Sequence, residues 1–175
     1  MKARNMMKKQ AYYHLPGLFE FYELYRIFLP LFREHREYFY DWCEIGSIYG
    51  APSDCIWGGG RTSLGEADSR KVLALMQEYK ISARLTFSNS LLREEHLQDQ
   101  KCNALCALFE ENKGVQNGVI IHSDLLLDYL QKKVSGTLSG FFDHKGADEF
   151  QRISGGNRQR RILLCSAGFS SQQKI

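Results

Sequence analysis

Three short clusters hold the residues best suited to chemistry. The first is Trp57-Gly58-Gly59-Gly60-Arg61. Consecutive glycines let backbone approach a ligand closely, and an arginine fork suits a carboxylate or phosphate. The run is no dinucleotide or phosphate-loop fingerprint, because its glycine spacing is wrong and no Gly-Lys-Ser/Thr follows. A tight turn with a solvated Arg61 is the competing reading. The second cluster is Thr86, Ser88, Asn89 and Ser90. Its hydroxyls and amide suit substrate orientation, or Asn89 or Ser90 simply caps the next helix. The third is His122-Ser123-Asp124. These are the residue types of a hydrolase triad, but chain neighbours point apart and triads assemble from separated positions. Ser123 and Asp124 read better as a helix start, leaving His122 as the candidate acid, base or ligand.

All three clusters are placed by the same pattern. From Asp41 to Lys133 the chain reads strand, helix, strand, helix, strand, helix. The segment DWCEIGSIYGAPSDCIWGGGR is read as a strand, a turn and a second strand end. A helix follows over RKVLALMQEY, with Asp68-Ser69 as its cap. ISARLTFS is a strand, REEHLQDQKCNALCALFEENKG a single long helix, NGVIIHS a strand and DLLLDYLQKK a helix. Such alternation implies a parallel sheet with helical crossovers. Ligands of such sheets meet the carboxyl ends of the strands, where the three clusters fall. The predicted fold is therefore α/β, a partial (β/α) barrel of about three parallel strands.

An aromatic-rich helical segment precedes this body. Leu18, Tyr22, Tyr25, Leu29 and Phe32 recur at helical spacing, and Pro30 predicts a break or kink, with a second short helix through Tyr40. Residues 1–17 read as a loose or partly ordered arm, residues 18–133 as the barrel part and residues 134–175 as an irregular tail.

Composition narrows the function classes. The 175 residues are 43% hydrophobic and carry a net charge of +3. Residues 134–175 hold six Lys/Arg against three Asp/Glu, and the remainder holds seventeen of each. The basic surplus thus belongs to the tail, and the neutral body is a poor nucleic-acid binder. No apolar run is long enough to span a membrane. Five cysteines without compact spacing argue against a disulfide scaffold and for a reducing, cytoplasmic setting. Cys102 and Cys106 share a helix face, but no second pair accompanies them, so no metal site is read and the pair reads as buried apolar surface. The cofactor is not readable from the sequence.

Residues 12–133 carry a resemblance. The strings YYHLPGLFEFYELYRIFLPLFREHREYFYDWCEIGSIYGAPSDCIWGGGR, SARLTFSNSLLREEHLQDQKCNALC and NGVIIHSDLLLDYL resemble uncharacterised bacterial proteins, which in turn resemble the collagenase-like peptidase family of (β/α) barrels. The resemblance implies a longer parent, a hydrolase or an RNA- or cofactor-modifying factor, that continues after this point with Tyr-Pro-Gly and a strand like VSSTTKVLT. Here the chain runs VSGTLSGFFDHKGADEF. One codon assignment for that stretch, read a base later, gives YPGLYLVSSTTKVLTN. The resemblance therefore implies that residues 134–175 are out of frame and that the chain is an N-terminal fragment without catalytic activity. Its open sheet edge would favour self-association. The alternative is a free-standing module that binds an anionic small molecule or peptide through Gly58, Gly59, Gly60, Arg61, Ser88 and Asn89, with His122 beside them.

Overall fold

The computed structural model describes residues 10–60, 67–110, 114–137 and 161–164. Four strands, β1 (Ala11–Pro16), β2 (Cys43–Gly50), β3 (Ser82–Phe87) and β4 (Gly118–Ile121), pair in parallel and in chain order. A fifth, β5 (Arg161–Leu164), lies antiparallel to β4. The helices are α1 (Tyr22–Glu34), α2 (Ser69–Tyr79), α3 (Glu94–Leu97), α4 (Gln100–Glu110) and α5 (Asp124–Thr137).

Strand alternation sorts the sheet into two unlike faces. Ile48, Ala83, Leu85, Phe87, Val119 and Ile121 are buried in one core with Tyr25 and Leu29 of α1, Val72 and Met76 of α2, Leu105 and Phe109 of α4 and Leu126 and Leu130 of α5. Burying each large aliphatic side chain there contributes about 1.5–3 kcal/mol. The intervening positions, including Ser47, Tyr49, Arg84, Thr86 and Ile120, point to the other face, and most of them are polar.

The loose arm expected over residues 1–17 is corrected from Ala11 onward, where the chain is a paired strand. Its sequence hid it because Leu15 alone among these residues packs against the core, so no apolar alternation appears. Residues 1–9 lie outside the described residues. Among the described residues the parallel strands therefore number four rather than about three, and the first precedes the aromatic helix. That helix runs through Pro30 to Glu34 instead of breaking. Pro30 has no amide hydrogen to offer Arg26, yet buried Tyr25 and Leu29 hold the helix to the core on either side of that carbonyl.

Two further readings change. The strand end expected at Cys55–Trp57 is a 3-10 turn, Ile56–Gly58, closed by local bonds: the Cys55 amide to Pro52 O (3.1 Å), the Gly58 amide to Cys55 O (3.0 Å) and the Gly59 amide to Ile56 O (3.2 Å). The single helix expected over residues 93–114 is split in two. Asp99 accepts from the Cys102 amide (2.7 Å), and Asn103 Nδ2 donates to Leu97 O and Asp99 O. A short polar side chain bonding its own backbone competes with continuous helix and starts a new one.

The tail also departs from expectation. α5 extends past Lys133 to Thr137, and β4 receives a neighbour, although an antiparallel one. The Asp68 cap is as read from the sequence: its side chain accepts from the Arg70 amide at 2.9 Å and the Lys71 amide at 3.3 Å. Asp68→Ala is expected to cost about 1 kcal/mol in a denaturant melt, with Asp68→Asn close to the parent.

Candidate functional site

The carboxyl ends of β2, β3 and β4 carry six of the seven sequence-predicted positions, Gly58, Gly59, Gly60, Ser88, Asn89 and His122, and the chain there is stitched tightly. Leaving β3, Ser88 Oγ donates to Gly58 O (3.0 Å). The Asn89 amide donates to Trp57 O (3.1 Å), its Nδ2 donates to Ile56 O (2.8 Å), and its Oδ1 accepts from the Leu91 amide (2.9 Å). Ser88 and Asn89 therefore spend these groups holding the 3-10 turn against the end of β3. Asn89 does not cap the following helix, because α3 starts only at Glu94.

The glycine run serves the same joint. A Cβ on Gly58 would lie 2.9 Å from that of Ala51, so a side chain there would push the turn off the sheet. Gly59 and Gly60 hold φ of +89° and +65°, a region other residues rarely adopt. Turn closure and close packing thus explain the glycines without a ligand. Arg61, the charged member of that cluster, lies outside the described residues.

Trp57 is fully buried rather than presented for stacking. Its indole donates to His96 O at 2.8 Å and meets Phe87 and Tyr129 edge-on, with centroids 5.3 and 6.1 Å away. His122 stands where expected, just beyond β4, with its amide bonded to Phe87 O (3.0 Å) and its side chain exposed. Ser123 starts α5, its Oγ accepting from the Leu126 amide at 3.4 Å, as read from the sequence.

Sequence reasoning missed two arrangements. The first is a thiol pair. Cys55 and Cys102 are both buried, with Sγ atoms 3.2 Å apart. The hydrogen bond from Cys102, with help from the Gly58 and Trp57 amides, lowers the Cys55 thiol, while the same bond and burial raise that of Cys102. A cavity of about 600 Å³ reaches this pair between Pro52, Asp54, Ser69 and Lys101. The spacing of 47 residues gave no local signal for it.

The second is the polar face of the sheet. A bulge at Tyr13/His14 leaves Gly46 unpaired and sets His14 opposite Ser47, where His14 Nδ1 and Ser47 Oγ are 2.7 Å apart. Two residues on, Pro16, Tyr49, Arg84 and Gly118 form a row across four strands. Tyr25 donates its hydroxyl to Pro16 O at the end of that row, and burial, together with Tyr49 and Glu20, pushes its pKa up to about 12. It therefore stays a neutral donor at physiological pH. Burial lowers Arg84, and burial and the Arg84 charge together lower His14.

These observations define an α/β protein with a four-stranded parallel sheet, helices on one face and polar residues on the other. No family model, curated protein or solved structure matches the chain. Among the described residues no helix is long and apolar enough to cross a membrane, and no group of three His, Cys, Asp or Glu is placed to hold a metal ion.

Proposed function

We propose that this chain is the N-terminal half of a (β/α) barrel protein of the collagenase-like peptidase type, and that it lacks catalytic activity without the remaining units. The observation that carries this reading is an apolar surface left on the first unit. α1 packs against α2 on one side. Elsewhere it exposes Leu24 (57%), Ile27 (65%) and Leu31 (47%), one stripe at helical spacing. Beside it, β1 has β2 as its one strand neighbour among the described residues, and Tyr12 and Tyr13 are exposed. A closed barrel would cover both with its last strand and helix. Chain-ordered parallel strands with a polar opposite face fit the same architecture, in which the polar side faces the lumen.

The antiparallel pairing of β5 supports the reading that residues 134–175 are out of frame, because a barrel would offer β4 a parallel neighbour. Resequencing the DNA from the Lys133 codon onward tests that part, and absence of the second frame ends it.

The test of the main reading is sedimentation velocity on the full chain and on the triple variant Leu24→Gln/Ile27→Gln/Leu31→Gln. Concentration-dependent association of the parent and its loss in the variant are expected. A parent that stays monomeric, or that turns over peptide or RNA substrates, overturns it.

A further inference from the structure

The polar face holds a charge that its surroundings do not balance. Arg84 sits in the middle of the sheet, between Tyr49 of β2 and Gly118 of β4. Its Nε is buried without a hydrogen-bond partner, and so is Thr86 Oγ1, the next group on the same face of β3. Among the described residues no carboxylate forms an ion pair with Arg84. Burial alone shifts its basicity, whereas Glu20 acts on Tyr25 at the far end of the row. Arg84 is half-buried, and closing its Nε off from water with no counter-charge among the described residues carries a desolvation cost that a bound anion would offset.

The groups around Arg84 are of one kind. His14 and Ser47 are hydrogen-bonded to each other on the preceding row, Tyr49 is the direct β2 neighbour, and Thr86 lies one row beyond. All are donors or donor-acceptors, and Gly118 brings no side chain to the β4 side. Gly46 makes the arrangement possible: a Cβ there would lie 2.8 Å from His14 Cε1, so the bulge residue must be glycine for His14 to keep its place.

We propose that the polar sheet face centred on Arg84, with His14, Ser47, Tyr49 and Thr86, is a binding site for a small oxyanion, a phosphate or carboxylate group, gripped by the guanidinium fork. Arginine pairs bidentately with such groups and a hydroxyl or imidazole donor completes the shell.

The test is titration of the full chain with inorganic phosphate, and separately with acetate, followed by NMR of the His14 imidazole and by calorimetry. The same titrations are run on Arg84→Gln, Arg84→Lys and a distant control, Arg70→Gln. Saturable shifts at His14 are expected in the parent and the control. Affinity should fall about tenfold or more in Arg84→Gln, the loss of a charge-assisted pair, with a smaller loss in Arg84→Lys. The preferred oxyanion distinguishes a phosphate from a carboxylate ligand. Equal affinity in parent and Arg84→Gln overturns the proposal. So does a parent whose His14 signals respond to neither ion, a readout that stands even if the variants fail to fold. The latter result would leave an acidic side chain from the completing half as the counter-charge.

Discussion

Trp57→Ala is expected to destabilise the chain by about 3–5 kcal/mol, a large share of the roughly 5–15 kcal/mol that holds a domain folded. The indole is fully buried at the meeting point of β3, α5 and the segment before α4, through Phe87, Tyr129 and His96 O. Truncation removes its apolar area, leaves a cavity the 3-10 turn would have to fill, and takes the closer donor from the His96 carbonyl, which keeps the Asp99 amide at 3.3 Å. Trp57→Phe separates these losses. It keeps most of the ring volume and loses the hydrogen bond, so it should cost well under half as much. Urea unfolding followed by far-UV circular dichroism reads both. A Trp57→Ala chain that melts like the parent would mean the turn is not part of the cooperative core.

The second large effect is at Asn117, a buried polar residue immediately before β4, whose first residue Gly118 pairs with Arg84 of β3. Its Oδ1 accepts from the Ala83 amide and its Nδ2 donates to Phe109 O, each at 3.0 Å. One side chain thus satisfies the start of β3 and the end of α4 together. Asn117→Leu preserves volume and leaves both backbone groups buried without partners, at about 1–3 kcal/mol each. We expect a loss of about 2–5 kcal/mol, read in the same urea experiment. Amide exchange at Ala83 should rise in parallel. Unchanged exchange there would show that solvent replaces the Asn117 carbonyl without cost.

What the sequence disclosed follows from which signals are local. The α2 cap at Asp68, the β3 and β4 strands and the Ser123 start of α5 are written in neighbouring residues, and they stand as read. β1 was missed because an edge strand with one core residue has no alternation to detect. The break at Asp99 was missed because the helix periodicity continues across it, and only a side-chain bond to Cys102 N interrupts the backbone. At the site, the positions of Gly58, Ser88, Asn89 and His122 were legible, but their roles were not. Their polar atoms close a joint between segments 30 or more residues apart. Arg84 drew no notice as a single charge in a β-rich string, since its isolation from acids is a property of the folded sheet.

The chain-ordered sheet has one more consequence, for how the protein is made. Each of β2, β3 and β4 pairs with the strand synthesised just before it. Each new strand and helix therefore finds its partner surface already outside the ribosome, and folding can advance with synthesis one unit at a time. The cost falls on the first unit. β1 and the exposed stripe of α1 emerge earliest and stay uncovered longest, so this is the end on which chaperones would be expected to act.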